Sequence, residues 1–408
     1  ANTTGEQNTA VGSLALDANT TGSYHVALGY NALSTNTTGN QNTAIGSYSL
    51  DANTTGSLNS TLGHASLSAN TTGAYNTAVG SYALTTSTTA SNNTAFGYAA
   101  LQENTTGDNL VAVGAFALDA NTTGRYNVAM GVGALGSTTT GQLNVGIGQA
   151  ALNNNTTASN NTAVGGDALA ANTTGHSNTA VGSNSQDSTT TGAENTTLGM
   201  NSATGLTTGN ANTFVGFNAG TYITQLTTGA GNVILGAYSR TSGPSENYAN
   251  VMGYDINGAG GYTTIGRSTS DIRALHGVAT WSTVSDERVK KDITDAEAGL
   301  SFINDLRPRT FKYKAKGDLP EEFDAYEEGS TEPYKFSTTE HGFIAQEVKA
   351  VIDNHSEIAD GFKMWSERET GQQEVAEAAL IPILTKAVQE LSSQVDELKA
   401  EIQTLKGE

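Results

Sequence analysis

The chain has 408 residues, 47 of them glycine, with 37% hydrophobic and 14% charged residues and a formal net charge of −20. That modest apolar content excludes one large core, and the negative balance argues against nucleic acid and anionic membrane surfaces as partners. With no cysteine there are no disulfides or thiolate metal sites, and no run of 18 apolar residues offers a membrane span. The chain opens directly on a repeat, with no secretion leader visible.

From Gly12 to Gly216 glycine recurs every 17 residues without drift, and Gly236 follows after 20. A fixed period of this kind predicts a solenoid rather than a globular fold. The repeat reads N-T-T-G-x-x-N-T-A-V-G-x-x-A-L-x-x. The residue before each periodic glycine is apolar in every turn (Val11, Leu28, Ile45, Leu62, Val79, Phe96), and Thr or Val stands two before it, with Ser60 the deviation. A small residue, mostly Ala, lies between them. This is a short strand of period 2 with a β-branched face and an Ala face. A second apolar column is Leu16, Leu33, Leu50, Leu67, Leu84 and so on to Leu169. Glycine and asparagine at the corners supply unusual backbone conformations and hydrogen bonds back to the chain. At ~4.8 Å per turn, 14 turns make a rod of roughly 65 Å. Two apolar columns plus an Ala face exceed what a thin coil hides, so one column is expected to fill the coil and another to face partner chains.

Domain boundaries follow from composition. Residues 1–236 form the repeat shaft, with Arg125 as its one basic residue. Residues 237–284 lose the repeat, stay Gly-rich and read as a β transition. From 285 onward Lys, Asp and Glu become frequent, as in a small α/β domain. Ile381, Leu384, Val388, Leu391, Val395, Leu398, Ile402 and Leu405 alternate spacings of 3 and 4, a heptad seam that predicts a coiled coil over about 380–406. Small or uncharged flanking residues, such as Ala387, Ser392 and Gln394, leave room for a third helix. The alternative is an amphipathic helix packed on its own domain.

The run Ser285-Asp286-Glu287-Arg288-Val289-Lys290-Lys291-Asp292-Ile293 resembles the signature of the intramolecular chaperone domain of phage tail spikes and fibres, peptidase family S74. Gly342-Phe343-Ile344-Ala345-Gln346-Glu347-Val348 and Ala379-Leu380-Ile381-Pro382-Ile383-Leu384 are similar to further motifs of that domain, in the same order. The resemblance implies that 285–408 trimerises, helps the preceding fibre fold, and then cuts itself off with a Ser–Lys dyad. Residue by residue it implies Ser285 as nucleophile, Lys290 as general base and cleavage at Ser285–Asp286. A serine hydroxyl needs such a base, and a lysine can serve where desolvation or neighbouring cations favour its neutral form. Arg288 and Lys291 are the candidate cations. The N-T-A-V-G-x-x-A-L text is similar to head repeats of trimeric autotransporter adhesins, which implies a trimeric β-roll.

The expected protein is therefore a homotrimeric surface or tail fibre for host attachment, in a virion or on a cell surface, with a single-turnover self-releasing chaperone. Its partner is expected to be a host or prey surface glycan or protein. Alternatives are a bacterial chimeric adhesive fibre, a glycan-degrading spike, and an ice-binding surface of stacked threonines. Tyr24, Tyr75 and Tyr126 share one column three turns apart. They read either as ligand-stacking aromatics or as loop aromatics packed on their neighbours. His25 stands in the Asn column, and the other histidines are scattered. No cofactor and no metal site is expected.

Overall fold

The computed structural model describes residues 2–407 apart from 222–224, 279, 284, 324, 359–361 and 369–370. It falls into two compact units, 1–284 and 285–408.

In the first unit the three residues before each periodic glycine form a strand, from Thr9–Val11 to Val233–Leu235. Each strand pairs in parallel with the strand one turn on, in a register of 17, as Ala27 with Ala44 and Leu28 with Ile45. The unit is thus a β-solenoid. The 20-residue turn contains 222–224, outside the described residues, yet its strands stay in register, Thr213 opposite Val233. The ladder also runs past the expected end at residue 236. Leu235 pairs with Met252, again 17 residues on, and Asn250–Tyr254 pairs with Tyr262–Arg267. The text conceals this turn because Val251 replaces the small residue and no N-T-T-G corner precedes it. An antiparallel strand, Ser270–Leu275, then covers the open edge.

The division of labour between columns is clear. From Ala27 onward the Ala face points inward and is fully buried, as are Leu33, Leu50, Leu67, Leu84 and Leu101. Burying each Leu contributes on the order of 2 kcal/mol. The β-branched face points outward: Val11, Leu62 and Phe96 remain 57%, 49% and 57% exposed.

Corners follow two devices. Gly97 has φ +141°, and a Cβ there would lie 2.5 Å from the carbonyl oxygen of Gly114 one turn on, so only glycine fits. Asparagines stack as a buried ladder: Asn53 Nδ2 donates to Asn36 Oδ1 at 2.8 Å, and Asn70 Nδ2 to Asn53 Oδ1 at 2.8 Å. Where Ser87 interrupts that column, Asn70 Oδ1 is left buried without a hydrogen-bond partner. Asn36, Asn53 and Asn70, each followed by Thr-Thr, are fully buried.

Less expected are the left-handed residues other than glycine. Leu33 has φ 52° and Tyr24 φ 63°, and the same columns repeat this in turn after turn. Each such residue costs about 1–2 kcal/mol. Ladder hydrogen bonds offset the cost: Leu33 N–H donates to Ser49 C=O at 3.0 Å and Tyr24 N–H to Glu6 C=O at 3.0 Å.

The second unit packs α1 (Leu300–Asp305), α2 (Ala345–Asn354) and α3 (Ile381–Lys406) with two antiparallel strand pairs, Arg309–Phe311 with Glu340–Gly342 and Trp365–Glu367 with Gln373–Val375. Its core gathers Phe302, Val348, Met364, Leu380 and Ile383. The motif at 342–348 therefore ends a strand and opens α2. The motif at 379–384 anchors α3 through Leu380 and Ile383, with Pro382 in the first turn, where its missing N–H costs nothing. Gly407 caps the other end at φ 75°.

One flank of α3 packs on its own unit. Ala387 is buried, and Glu390 accepts from the Leu300 N–H at 2.8 Å at the start of α1. The seam itself stays open: Ile381, Leu384, Val388, Leu391, Val395, Leu398, Ile402 and Leu405 are all exposed. The helix thus packs on its own unit through Ile383 and Ala387, while its heptad stripe stays uncovered.

Candidate functional site

Ser285 and Lys290 come together. Asp286 caps a one-turn 3-10 helix, Glu287–Val289, by accepting the Arg288 N–H at 2.9 Å. This turn folds the five-residue span back on itself, and Lys290 Nζ donates to Ser285 Oγ at 2.7 Å. The same Asp286 carboxylate receives the Arg288 guanidinium, with Nε 2.9 Å from Oδ1 and 3.1 Å from Oδ2. Hydrogen bonding from Arg288 holds the Asp286 carboxyl below its usual range.

This arrangement corrects one sequence argument. Of the two candidate cations beside Lys290, Arg288 and Lys291, the charge of Arg288 is taken up by Asp286. Desolvation is not supplied locally either, since Ser285 and Lys290 are both exposed. Beside them Val289 and Ile293 stand 70% and 64% exposed. A serine hydroxyl and an amine in hydrogen-bond contact make up the arrangement, and such a pair can perform acyl transfer when covered from water.

Other charged groups of this unit were not legible in sequence. His355 sits between Asp305 and Glu357, with Nε2 2.8 Å from Asp305 Oδ2 and Nδ1 2.6 Å from Glu357 Oε1. Hydrogen bonds to Glu357 and then Asp305 raise its pKa. Glu347 of the 342–348 motif binds Arg309, whose Nε donates to Oε2 at 2.9 Å. A cavity of about 420 Å³ beside this pair is lined by Pro308, Thr310, His341, Phe343 and Glu377.

On the shaft, Tyr24, Tyr75 and Tyr126 are 56%, 61% and 53% exposed and lie three turns apart. The structure does not bring them together. It does assemble rings that no single column reveals. Tyr30, Tyr48, His64, Tyr82, Tyr98 and Phe116 form a continuous ladder, with successive ring centroids 5.3, 6.0, 5.4, 6.0 and 5.3 Å apart. Their sequence spacing alternates between 18 and 16, because the ring sits one or two residues after the glycine in alternate turns. A shorter ladder, Phe217, Tyr238 and Tyr254, follows further on.

Among the described residues no helix is long and apolar enough to cross a membrane.

Residues 285–357 match the family model described as chaperone of endosialidase, peptidase S74. No curated protein and no solved structure matches the chain. A β-solenoid followed by such a domain fits a tail-fibre-like protein with a C-terminal chaperone domain. The match suggests autoproteolytic chaperone activity and an extracellular or virion location.

Proposed function

We propose that the chain is a homotrimeric attachment fibre whose C-terminal unit brings three shafts together and then releases itself by cutting at Ser285–Asp286. The observation that carries the cleavage reading is the 2.7 Å contact between Lys290 Nζ and Ser285 Oγ, inside the segment that matches the chaperone family. Trimerisation is supported by two unsatisfied surfaces, the outward strand face of the shaft and the open heptad seam of α3. In three parallel chains the seam closes, and the shafts meet at high local concentration.

The chemistry follows from the pair. Attack requires Oγ–H to donate to a neutral lysine amine, a state favoured once a partner covers Val289 and Ile293 and excludes water. Oγ attacking the carbonyl of its own residue would close a four-membered ring. In this reading the serine of one chain therefore acts on the Ser285–Asp286 bond of a neighbour. A C–O bond forms, the C–N bond breaks, and the Lys290 ammonium returns the proton to the departing Asp286 nitrogen. Water then hydrolyses the ester, leaving a carboxylate on the shaft and a free serine. Each junction is cut once.

A mixed assembly tests this. Wild-type chains assembled with tagged Ser285→Ala chains should cut a fraction of the tagged junctions, whereas Ser285→Ala alone should remain whole. Tagged chains that stay intact beside cleaved wild type would exclude transfer between chains. An attachment role is tested separately, by competition of the purified shaft with fibre binding to intact host cells.

A further inference from the structure

The ring ladder of the shaft leaves a notch beside it. In the column two after the periodic glycine, Tyr48, Ala65 and Tyr82 follow one another at a spacing of 17, and all three hold the left-handed conformation, with φ 57°, 50° and 62°. The ring missing at Ala65 is supplied by His64 from the column before it, stacked on Tyr48 at 6.0 Å with 27° between the planes. This exchange leaves room where a tyrosine would stand. A cavity of about 500 Å³ opens there, within the range of small-ligand sites, roughly 300–1,000 Å³.

Its lining is of two kinds. Tyr48 and His64 offer ring surface, and Asp51, Ser68, Thr85 and Thr86 offer oxygen. Those oxygens are acceptors. Thr85 Oγ1 donates its proton to the Tyr82 carbonyl at 2.6 Å, Thr86 Oγ1 to that of Gln102 at 2.7 Å, and Ser68 Oγ to that of Thr85 at 3.4 Å. Each hydroxyl thus keeps only lone pairs for a ligand. Asp51 is half-buried, and its Oδ1 has no hydrogen-bond partner. Burial pushes its pKa up, against backbone hydrogen bonds. A carboxylate held in this way is stabilised by a donor that reaches it.

We infer that this notch binds one hexose ring of a neutral surface glycan, with its C–H face against Tyr48 and His64 and its hydroxyls donating to Asp51, Thr85 and Thr86. The inference rests on the attachment reading and names the partner's chemical class. Three features select this ligand. Ring surface beside polar groups suits a molecule with one apolar face and a rim of hydroxyls. A lining rich in acceptors requires a ligand rich in O–H donors. A carboxylate in the site, on a chain of net charge −20, disfavours acidic sugars.

Binding of the full-length protein to an immobilised array of neutral and carboxylated oligosaccharides tests this. Wild type should bind neutral members in preference to carboxylated ones. Ser68→Gln fills the notch with a side chain that the same column carries at Gln102, and should abolish binding. Asp51→Asn, an exchange the column makes at Asn153, should weaken binding about tenfold, because hydrogen bonds to charged groups contribute more than neutral ones. Tyr75→Ala, in the column before the strands, should bind as wild type does. Wild-type binding by both Ser68→Gln and Asp51→Asn, a preference for carboxylated members, or no binding to any neutral member would each overturn the site. In that last case, competition by the shaft for intact host cells would leave the attachment reading standing. Neutral-glycan binding that depends on Asp51, without such competition, would overturn the attachment reading and keep the notch.

Discussion

The backbone N–H of Asn42 donates to Nδ1 of His25 at 3.1 Å. One turn later the same bond is made by asparagine, where Asn59 N–H donates to Asn42 Oδ1 at 2.9 Å. His25 thus replaces an Asn by offering a ring nitrogen as acceptor, which requires a neutral imidazole. Burial lowers its pKa from the ordinary 6.5, against opposing backbone hydrogen bonds.

A pH dependence follows. The folded shaft resists protonating His25, so the unfolded chain takes up the proton first as pH falls below about 6.5. Stability is full above that value and is lost below it. Melting of the full chain at pH 7.5 and pH 5.5 should show a larger acid loss for wild type than for His25→Asn. Equal losses would remove His25 as the cause.

The second unit should respond with the opposite sign. His355 has a raised pKa between Glu357 and Asp305, so its stabilisation is fully present below its unfolded pKa and is lost as pH rises through the folded value. Trp365 fluorescence followed during urea unfolding should report a midpoint that falls with rising pH in wild type. His355→Gln should flatten that slope. An unchanged slope would place the dependence elsewhere.

Arg288 is expected to matter for cleavage without touching the scissile bond. It occupies the carboxylate of Asp286, which caps the turn that carries Lys290 to Ser285. Arg288→Ala keeps the backbone cap but removes the guanidinium that holds the Asp286 carboxylate, and should slow self-cleavage, with Arg288→Lys recovering part of the rate. Trimer mass should not change. A cleavage rate equal to wild type would leave the ion pair as surface decoration.

Gly97→Ala tests the solenoid geometry. The new Cβ would need to sit 2.5 Å from the Gly114 carbonyl oxygen at φ +141°, so adjoining turns must separate. Gly261→Ala also has a positive φ, +74°, but meets nothing within 4 Å. The first should lower the melting midpoint strongly and the second only slightly, a contrast that equal effects would contradict.

Much of the fold was legible because its determinants are local and repeated. Gly12 to Gly216 gave the period, the Val11 and Leu28 column marked the outward face, and the heptads of α3 marked an exposed stripe. Three features escaped. The Tyr30 to Phe116 ladder alternates between two columns and so vanishes from each. The turn ending at Gly253 keeps the period of 17 but drops the consensus residues. The His355 cluster joins Asp305, His355 and Glu357, and no spacing rule connects the first of these to the other two. The pairing of Ser285 with Lys290 was readable only through the motif around it. Its local cause is the Asp286 cap, and Arg288, read as an activating cation, is instead neutralised.

The role of the C-terminal unit is tested by removal. A chain ending at residue 284 lacks the heptad seam and must bring three shafts together unaided, at full entropic cost. It should remain unassembled or insoluble, whereas the full chain should yield a shaft that resists trypsin, having no lysine and only Arg125, Arg240, Arg267 and Arg273 as targets. A truncated chain that forms trimers in equal yield would contradict the chaperone role.

The central claim, self-release at the serine, is tested most directly by the mass of the purified protein under denaturing conditions. Wild type should give two species, a shaft ending at Ser285 and a fragment of residues 286–408, while Ser285→Ala and Lys290→Ala should each give one full-length species of trimeric native mass. A Ser285→Ala chain still cut at this junction, or an assembled wild-type trimer that stays whole, would contradict it.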